Sequence, residues 1–99
     1  MSIQNTFEID IVKANSSHID AVDFDNLTFG TVFTDHMLIC DFKDGAWQKP
    51  IIKAYEPFLI DPSSKVFHYG QAIFEGMKAY KDEHDAIWMF RPDENLKRF

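Results

Sequence analysis

The stretch of residues 67–80 constrains the fold more than any other part of the sequence. It has the sequence FHYGQAIFEGMKAY, in which Gly70 and Gly76 flank a short apolar block that polar and charged residues surround. Glycine inside a regular element costs about 0.5–1 kcal/mol relative to alanine, and it is favoured where the backbone takes a positive φ or approaches another group closely. The stretch is therefore predicted to form the wall of a binding site.

Alternating or continuous short apolar runs predict several strands. The predicted strands are residues 7–13, 29–42, 48–55, 77–81 and 86–90. The second of them is expected to be interrupted near Asp35 and His36. Asp44 and Gly45 form a pair that favours a type I′ turn, so a hairpin is expected to lead into the third strand. The last two strands are expected to pair as a second hairpin.

Two short helices are also predicted. The first covers residues 69–74, inside the glycine-flanked stretch. The second begins at Pro92, because proline suits the first helical position and the acids Asp93 and Glu94 suit the amino-terminal end of the helix dipole. The sequence therefore predicts an α+β fold in which short helices accompany an antiparallel sheet.

The charge and the cysteine content exclude several classes of function. The formal net charge is −6 and no basic stripe is present, which argues against nucleic acid and against an anionic membrane surface. No apolar run approaches the roughly 20 residues that span a bilayer, and the first residues do not form a signal peptide. Cys40 is the only cysteine, and the histidines lack the spacing of a metal site. We therefore predict a cytoplasmic protein without a metal ion.

Two separated blocks of sequence resemble one family of enzymes. The segment HYGQAIFEGMKAY, followed by an apolar run that ends in FRP and then by ENLKR, resembles the first-domain signature of the branched-chain amino acid aminotransferases. The earlier block FGTVFTDHML, residues 29–38, resembles the larger members of the same family. The resemblance implies the small first domain of the fold-type IV pyridoxal-phosphate enzymes, the fold of D-amino acid aminotransferase. Residues 1–99 would then be a single, incomplete amino-terminal domain.

This resemblance implies a function for the complete enzyme. Such an enzyme moves an amino group between leucine, isoleucine or valine and 2-oxoglutarate, with pyridoxal 5′-phosphate as its cofactor and branched-chain amino acids and 2-oxo acids as its small-molecule partners. Members of the family are usually homodimers or larger assemblies, and a homodimer is expected here. The Schiff-base lysine of the family lies beyond residue 99, so the resemblance implies no catalytic residue in this chain and no transamination by the chain alone.

By the same resemblance, Arg98 and Tyr69 are expected to bind the cofactor. Arg98 corresponds to an arginine that holds the cofactor phosphate, and a guanidinium suits that task because its planar fork of donors matches phosphate oxygens. From the residue alone it would be a surface arginine. Many enzymes of this fold have a histidine three residues earlier, where this chain has Asn95. Tyr69 corresponds to a tyrosine beside the cofactor that also shapes the substrate pocket.

The resemblance places further residues in the substrate pocket. These residues are Phe29, Tyr69, Phe74, Gly76 and Lys78. Phenylalanines are more often packing residues, and Lys78 is expected to face a polar rim or solvent rather than to act as a nucleophile. Glu75 and His68 could be imagined as an acid–base pair, but structural roles are the favoured interpretation because nothing in their spacing specifies a catalytic geometry.

Three other interpretations of the sequence stay open. The chain could come from another enzyme of the same fold, such as a D-amino acid aminotransferase or aminodeoxychorismate lyase, although FGTVFTDHML and FEGMKAY argue against this. It could be a noncatalytic module that keeps the fold for binding or dimerisation. It could also be an inactive fragment.

Overall fold

The structure, a computed structural model, describes residues 8–99, and the chain divides into two compact units. The first unit ends at Phe58 and the second is Leu59–Phe99. The strands of the first unit are β1 (Asp10–Ile11), β2 (His36–Ile39), β3 (Phe42–Lys43), β4 (Ala46–Trp47) and β5 (Ile51–Ala54), with a 3-10 helix at Ile19–Ala21. The second unit contains α1 (Lys65–Tyr69), β6 (Ala79–Lys81), β7 (Ile87–Met89) and α2 (Pro92–Arg98).

A three-stranded sheet with the order β1–β5–β2 forms the centre of the first unit. Strands β2 and β5 are antiparallel, with His36 opposite Ala54. Strand β1 runs parallel to β5, and Val12 continues the pairing by donating to the carbonyl of Ile52 at 2.9 Å. The sequence predicted antiparallel strands only. A parallel pair is possible here because about forty residues separate β1 from β5, so no tight turn has to join them.

The strand that was predicted over residues 29–42 is much shorter in the structure. Only His36–Ile39 pairs with β5. Before it, the amide of Thr31 donates to the carbonyl of Thr28 in a turn, and Gly30 has a φ of +76°. That turn takes the backbone out of the extended conformation although the side chains are β-branched and aromatic. Strands β1 and β5 lie inside longer predicted runs, whereas β3 extends one residue past its run and β4 lies between the second and third predicted strands. Phe7 lies outside the described residues.

The turn predicted at Asp44 and Gly45 is confirmed, but it leads into β4 and not into the strand predicted over residues 48–55. Both residues have positive φ, 53° and 77°, as a type I′ turn requires. The turn joins β3 to β4, and Phe42 stands opposite Trp47 with the two rings edge to face at a centroid distance of 5.2 Å. The aromatic pair stabilises the hairpin because cross-strand ring contacts are favourable in this geometry.

The position predicted for the first helix of the second unit was wrong. The helix is Lys65–Tyr69 and ends where residues 69–74 were predicted to begin. Gly70 has φ 58° and ψ 28°, the left-handed conformation that commonly terminates a helix, and its amide donates to the carbonyl of Lys65. One of the two flanking glycines therefore takes the positive φ that the sequence suggested, and it acts as a helix stop.

The rest of the second unit agrees with the sequence pattern. Strands β6 and β7 form the predicted hairpin, with Tyr80 opposite Trp88. Helix α2 begins at Pro92 and carries acids in its first turn, as predicted. Together the short helices and the mostly antiparallel strands agree with the α+β class.

The described residues bury no side chain. None of residues 8–99 is fully buried, and many large apolar side chains are exposed. Folded proteins of this size normally remove such side chains from water, since their burial is the main favourable contribution to folding. These apolar surfaces are therefore available for contact with further polypeptide. Among residues 8–99, no helix has the length and apolar character required to cross a membrane.

Candidate functional site

The candidate site in the second unit is built around Arg98, the last residue of α2. Helix α2 is short, and its charges are arranged to suit its dipole, with Asp93 and Glu94 in the first turn and Lys97 and Arg98 in the last. The side chain of Arg98 is 66% exposed. The helix therefore presents a guanidinium at its end that remains accessible to a ligand.

The carboxylate of Glu75 binds this guanidinium through two contacts. Arg98 Nε donates to Glu75 Oε2 at 3.3 Å, and Arg98 Nη2 donates to Glu75 Oε1. The side chain of Glu75 is only 16% exposed, in contrast to that of its partner. A paired contact between two planar groups fixes the plane of the guanidinium as well as its distance.

Asn95 connects the same carboxylate to the backbone. Its Nδ2 donates to Glu75 Oε1 at 2.7 Å and to the carbonyl oxygen of Gly76 at 2.7 Å. Asn95 lies three residues before Arg98 in α2, so both side chains project from one face of the helix. The helix is therefore attached to the segment before β6 by three hydrogen-bonding side chains.

The electrostatics of the pair favour its charged form. The hydrogen bond from Arg98, followed by that from Asn95, lowers the pKa of Glu75 from its ordinary value, while the smaller effect of desolvation acts in the opposite direction. The hydrogen bond to Glu75 raises the pKa of Arg98. Glu75 is thus a carboxylate at neutral pH and an acceptor only, which excludes it as a general acid there.

A cavity of about 210 Å³ lies beside α2 in this unit, and neither Glu75 nor Arg98 lines it. Its wall includes Gly76 and Lys78, two of the residues predicted to line a substrate pocket, and also Asn95. Pro92 and the hydrophobic side chains of the β6–β7 hairpin complete the wall. Asn95 therefore links this cavity to the Glu75–Arg98 pair.

The wall of this cavity does not include three of the residues predicted for the substrate pocket, Tyr69, Phe74 and Phe29. The residues Tyr69 and Phe74 are 81% and 94% exposed, and they belong to the second unit. Phe29 is fully exposed and belongs to the first. A substitution at Gly76 would meet nothing within 4 Å of a new Cβ, so the close approach that the sequence suggested at this glycine is not made by residues 8–99.

The structural role favoured for Glu75 and His68 agrees with these contacts. His68 Nε2 lies 3.0 Å from the carbonyl oxygen of Pro62, which can only accept, so the ring nitrogen donates to the backbone. Glu75 contacts Arg98 instead of His68. The two residues therefore have separate partners.

A second polar cluster lies around Asp35 in the first unit. The carboxylate of Asp35 accepts a hydrogen bond from the hydroxyl of Ser17, contacts the ring of His18 and accepts from the His18 amide at 3.1 Å. The Ser17 hydrogen bond, followed by that of the amide, lowers the pKa of Asp35. The other ring nitrogen of His18 lies 3.0 Å from the carbonyl of Phe33. Both ring nitrogens face acceptors and neither contacts Ser17, so the cluster is not a nucleophile activated by a base.

An apolar cavity of about 580 Å³ lies beside this cluster. Its wall includes Ile19, Phe24 and Val32, and it contains none of the predicted site residues. The cavity is larger than the one in the second unit, but the charged group in its wall that would meet a ligand is the Asp35 carboxylate, which repels an anion. The chemistry of Arg98 therefore makes the second unit the better candidate for an anionic ligand.

Sequence reasoning missed the parts that Glu75 and Asn95 play. Glu75 and Arg98 are 23 residues apart, and a single acid before a glycine gives no indication of its partner. The one available signal was Asn95, a polar residue that helix periodicity places on the same face as Arg98. No group of three or more potential metal ligands occurs in the part of the chain that the structure describes.

The known proteins to which the chain is similar include several branched-chain aminotransferases. No family model matches the chain. The chain is 51% identical over 74 residues to branched-chain-amino-acid transaminase 1 of Bacillus subtilis (strain 168), an alignment that covers 74% of the chain and 21% of that relative. It is 51% identical over 73 residues to the cytosolic branched-chain-amino-acid aminotransferase of Saccharomyces cerevisiae, with 73% and 19% covered.

A third relative is matched along nearly the whole chain. This branched-chain-amino-acid aminotransferase of Dictyostelium discoideum is 40% identical over 99 residues, which are 99% of the chain and 26% of the relative. The chain therefore spans about a fifth to a quarter of the length of these relatives. A mitochondrial form from yeast is also among the similar proteins.

Proposed function

We propose that this chain, which belongs to the branched-chain aminotransferase family and spans about a quarter of its members or less, supplies one part of the active site of such an enzyme. The proposed reaction exchanges an amino group between leucine, isoleucine or valine and 2-oxoglutarate. The observation that carries the proposal is the sequence identity of 40–51% to enzymes named for this activity. The proposed fold is the first, small domain of the fold-type IV enzymes.

The proposed cofactor is pyridoxal 5′-phosphate, which supplies an electron sink when it is bound. The donor set of the second unit fits its phosphate. Arg98 has an exposed guanidinium with permanent positive charge, and the contacts with Glu75 use only its Nε and Nη2 nitrogens. The role of Arg98 would be to bind and orient the phosphate, and Tyr69 would pack beside the cofactor.

The proposed substrate pocket uses Phe29, Tyr69, Phe74, Gly76 and Lys78. Gly76 and Lys78 share the wall of the 210 Å³ cavity, which supports their assignment to one pocket. The aromatic side chains expose apolar surface that would suit a branched aliphatic side chain and would exclude a charged one. Lys78 would form a polar rim.

The remaining chemistry is proposed to come from polypeptide that is not part of these 99 residues. No residue of the chain is assigned as the catalytic lysine, so the chain alone is proposed to be inactive in transamination. The exposed apolar side chains support a role in contact with further polypeptide, including the second subunit of a homodimer. We propose a cytoplasmic location, as for the cytosolic relatives.

A chimeric enzyme tests this function directly. The 99 matching residues of the Dictyostelium discoideum aminotransferase would be replaced by those of this chain, at the 40% identity that they share. We expect the chimera to transaminate leucine with 2-oxoglutarate and to reject D-alanine, while the 99-residue chain alone shows no turnover. A correctly assembled chimera that lacks activity with all three branched-chain amino acids would contradict the proposal, as would robust turnover by the chain alone.

A further inference from the structure

We propose that Glu75 is a positioning residue for Arg98, which holds one side of the guanidinium so that the opposite end is presented to a phosphate. This inference rests on the proposed role of Arg98 in binding the cofactor phosphate. It adds a function for a carboxylate that would otherwise be expected to weaken an anion site. The argument depends on which nitrogens of Arg98 are used, on how Glu75 itself is held, and on the charge of the pair.

The two contacts leave one edge of the guanidinium available. An arginine has five N–H donors, and they form a side-on fork from Nε and Nη2 and an end-on fork from Nη1 and Nη2. The carboxylate of Glu75 occupies the side-on fork. Nη1 makes no hydrogen bond to the described residues, so three donors remain and two of them form a fork of the kind that matches two phosphate oxygens.

Glu75 can position its partner because it is itself fixed. Its side chain is 16% exposed while that of Arg98 is 66% exposed, so the carboxylate is the anchored member of the pair. Asn95 donates to Oε1 of the same carboxylate and also to the carbonyl of Gly76, which attaches Glu75 to the backbone beside it. A long arginine side chain without such an anchor would lose more rotational freedom on binding a ligand, and preorganisation removes part of that cost.

A positioning role and a competing role make opposite predictions. If Glu75 merely occupied Arg98 until a phosphate displaced it, removal of its charge would strengthen phosphate binding, because a carboxylate near the site repels an anion. If Glu75 orients Arg98, the contact persists in the bound state and its removal weakens binding. The anchoring by Asn95 favours the second case, since displacement would leave a half-buried carboxylate with fewer partners.

Nuclear magnetic resonance of the chimeric enzyme, freed of its cofactor, distinguishes these cases. The probe is pyridoxine 5′-phosphate, which carries the ring and the phosphate but has no aldehyde to react with lysines. The measurements are the Arg98 Nε–Hε signal, the Glu75 carboxyl titration and the affinity for the probe. The variants are Glu75→Gln and Arg98→Gln, with Glu83→Gln and Lys97→Gln as matched controls at exposed positions.

The proposal predicts a specific combination of results. The Glu75 carboxyl should titrate below its ordinary range in the unsubstituted chimera and should shift back toward that range in Arg98→Gln, where only the hydrogen bond from Asn95 remains. The Arg98 Nε–Hε signal should keep its Glu75-bound shift when the probe is saturating. Glu75→Gln should weaken probe binding about tenfold, Arg98→Gln should abolish it, and both controls should bind normally.

Other combinations overturn the proposal. Loss of the Glu75-bound shift on adding the probe, or unchanged or tighter binding by Glu75→Gln while Arg98→Gln no longer binds, would refute the positioning role and leave the proposed phosphate arginine intact. An ordinary titration of Glu75 in the unsubstituted chimera would refute the pair itself. Unchanged binding by Arg98→Gln would refute both the positioning role and the proposed role of Arg98.

Discussion

Replacement of Gly70 by alanine should destabilise the end of α1 by an amount that the backbone geometry sets. Gly70 has φ 58° and ψ 28°, and a Cβ at this position would meet nothing within 4 Å. The penalty is therefore purely conformational, and the left-handed region costs an L-residue about 1–2 kcal/mol. A local free energy of this size corresponds to a roughly 5–30-fold change in the population of the open form.

Amide hydrogen exchange measures this change at the helix end. The amides of Gly70 and Gln71 both donate to the carbonyl of Lys65, the latter at 3.3 Å, so both report the integrity of this turn. In Gly70→Ala the protection of these two amides should fall about 5–30-fold. Gly70→Asn should lose less, because asparagine tolerates the left-handed conformation better than alanine does.

Gly76→Ala is the matched control. Gly76 also has open space around a new Cβ, but it is not among the residues with positive φ. Alanine should therefore be tolerated at position 76, with no loss of protection at residues 70 and 71. Equal protection in the Gly70→Ala and wild-type chains, or equal losses in the two alanine variants, would refute the reasoning from backbone conformation.

Two further predictions concern the hairpins. Asp82 accepts a hydrogen bond from the indole of Trp88 at 2.7 Å, and this bond together with nearby backbone amides lowers the pKa of Asp82. The Asp82 carboxylate should therefore contribute fully to the stability of the β6–β7 hairpin above the ordinary aspartate pKa of about 3.9, and this contribution should be lost as the pH falls below that value. The Trp88 indole N–H signal should follow that titration and should be insensitive to pH in Asp82→Asn; a flat wild-type signal between about pH 5 and 2 would contradict this assignment. Gly45→Val should destabilise the β3–β4 hairpin by about 1–2 kcal/mol, because a β-branched residue is strained at φ 77°. The near-ultraviolet signal of the Phe42–Trp47 pair should then decrease, and an unchanged signal would show that the turn does not control the hairpin.

The elements that the sequence predicted correctly are those with local causes. The turn at Asp44 and Gly45 needs only the tolerance of these two residues for positive φ. The start of α2 needs only Pro92 and the acids that follow it. In both cases the determining residues are adjacent, so periodicity and turn chemistry are sufficient.

The errors arose where distant residues or a single backbone conformation decide the structure. The helix was predicted on the wrong side of Gly70 because composition alone does not say that this glycine ends a helix rather than lying within the next element. The parallel pairing of β1 with β5 depends on residues about forty positions apart. Neither the left-handed conformation of Gly70 nor the pairing of β1 with β5 can be read from a short stretch of sequence.

The candidate site also combines features that depend on neighbouring residues with features that depend on distant ones. Arg98 was assigned to the cofactor phosphate from a resemblance in the sequence around it, and this role stays a prediction; the structure shows that its side chain is exposed. Its contact with Glu75 joins residues that are 23 positions apart and could not be inferred from spacing. Placement of Phe29 in the same pocket stays a prediction, because it belongs to the other unit of the chain.

The affinity of the chimeric enzyme for pyridoxal 5′-phosphate tests the central claim most directly. We would compare the unsubstituted chimera with its Arg98→Gln and Lys97→Gln variants, numbered as in this chain, by measuring cofactor dissociation with the visible absorbance band. Arg98→Gln should weaken binding by about tenfold or more, since it removes a charged fork of hydrogen bonds, while Lys97→Gln, on the same turn, should bind normally. Equal cofactor affinity in all three proteins would contradict the claim that Arg98 holds the phosphate.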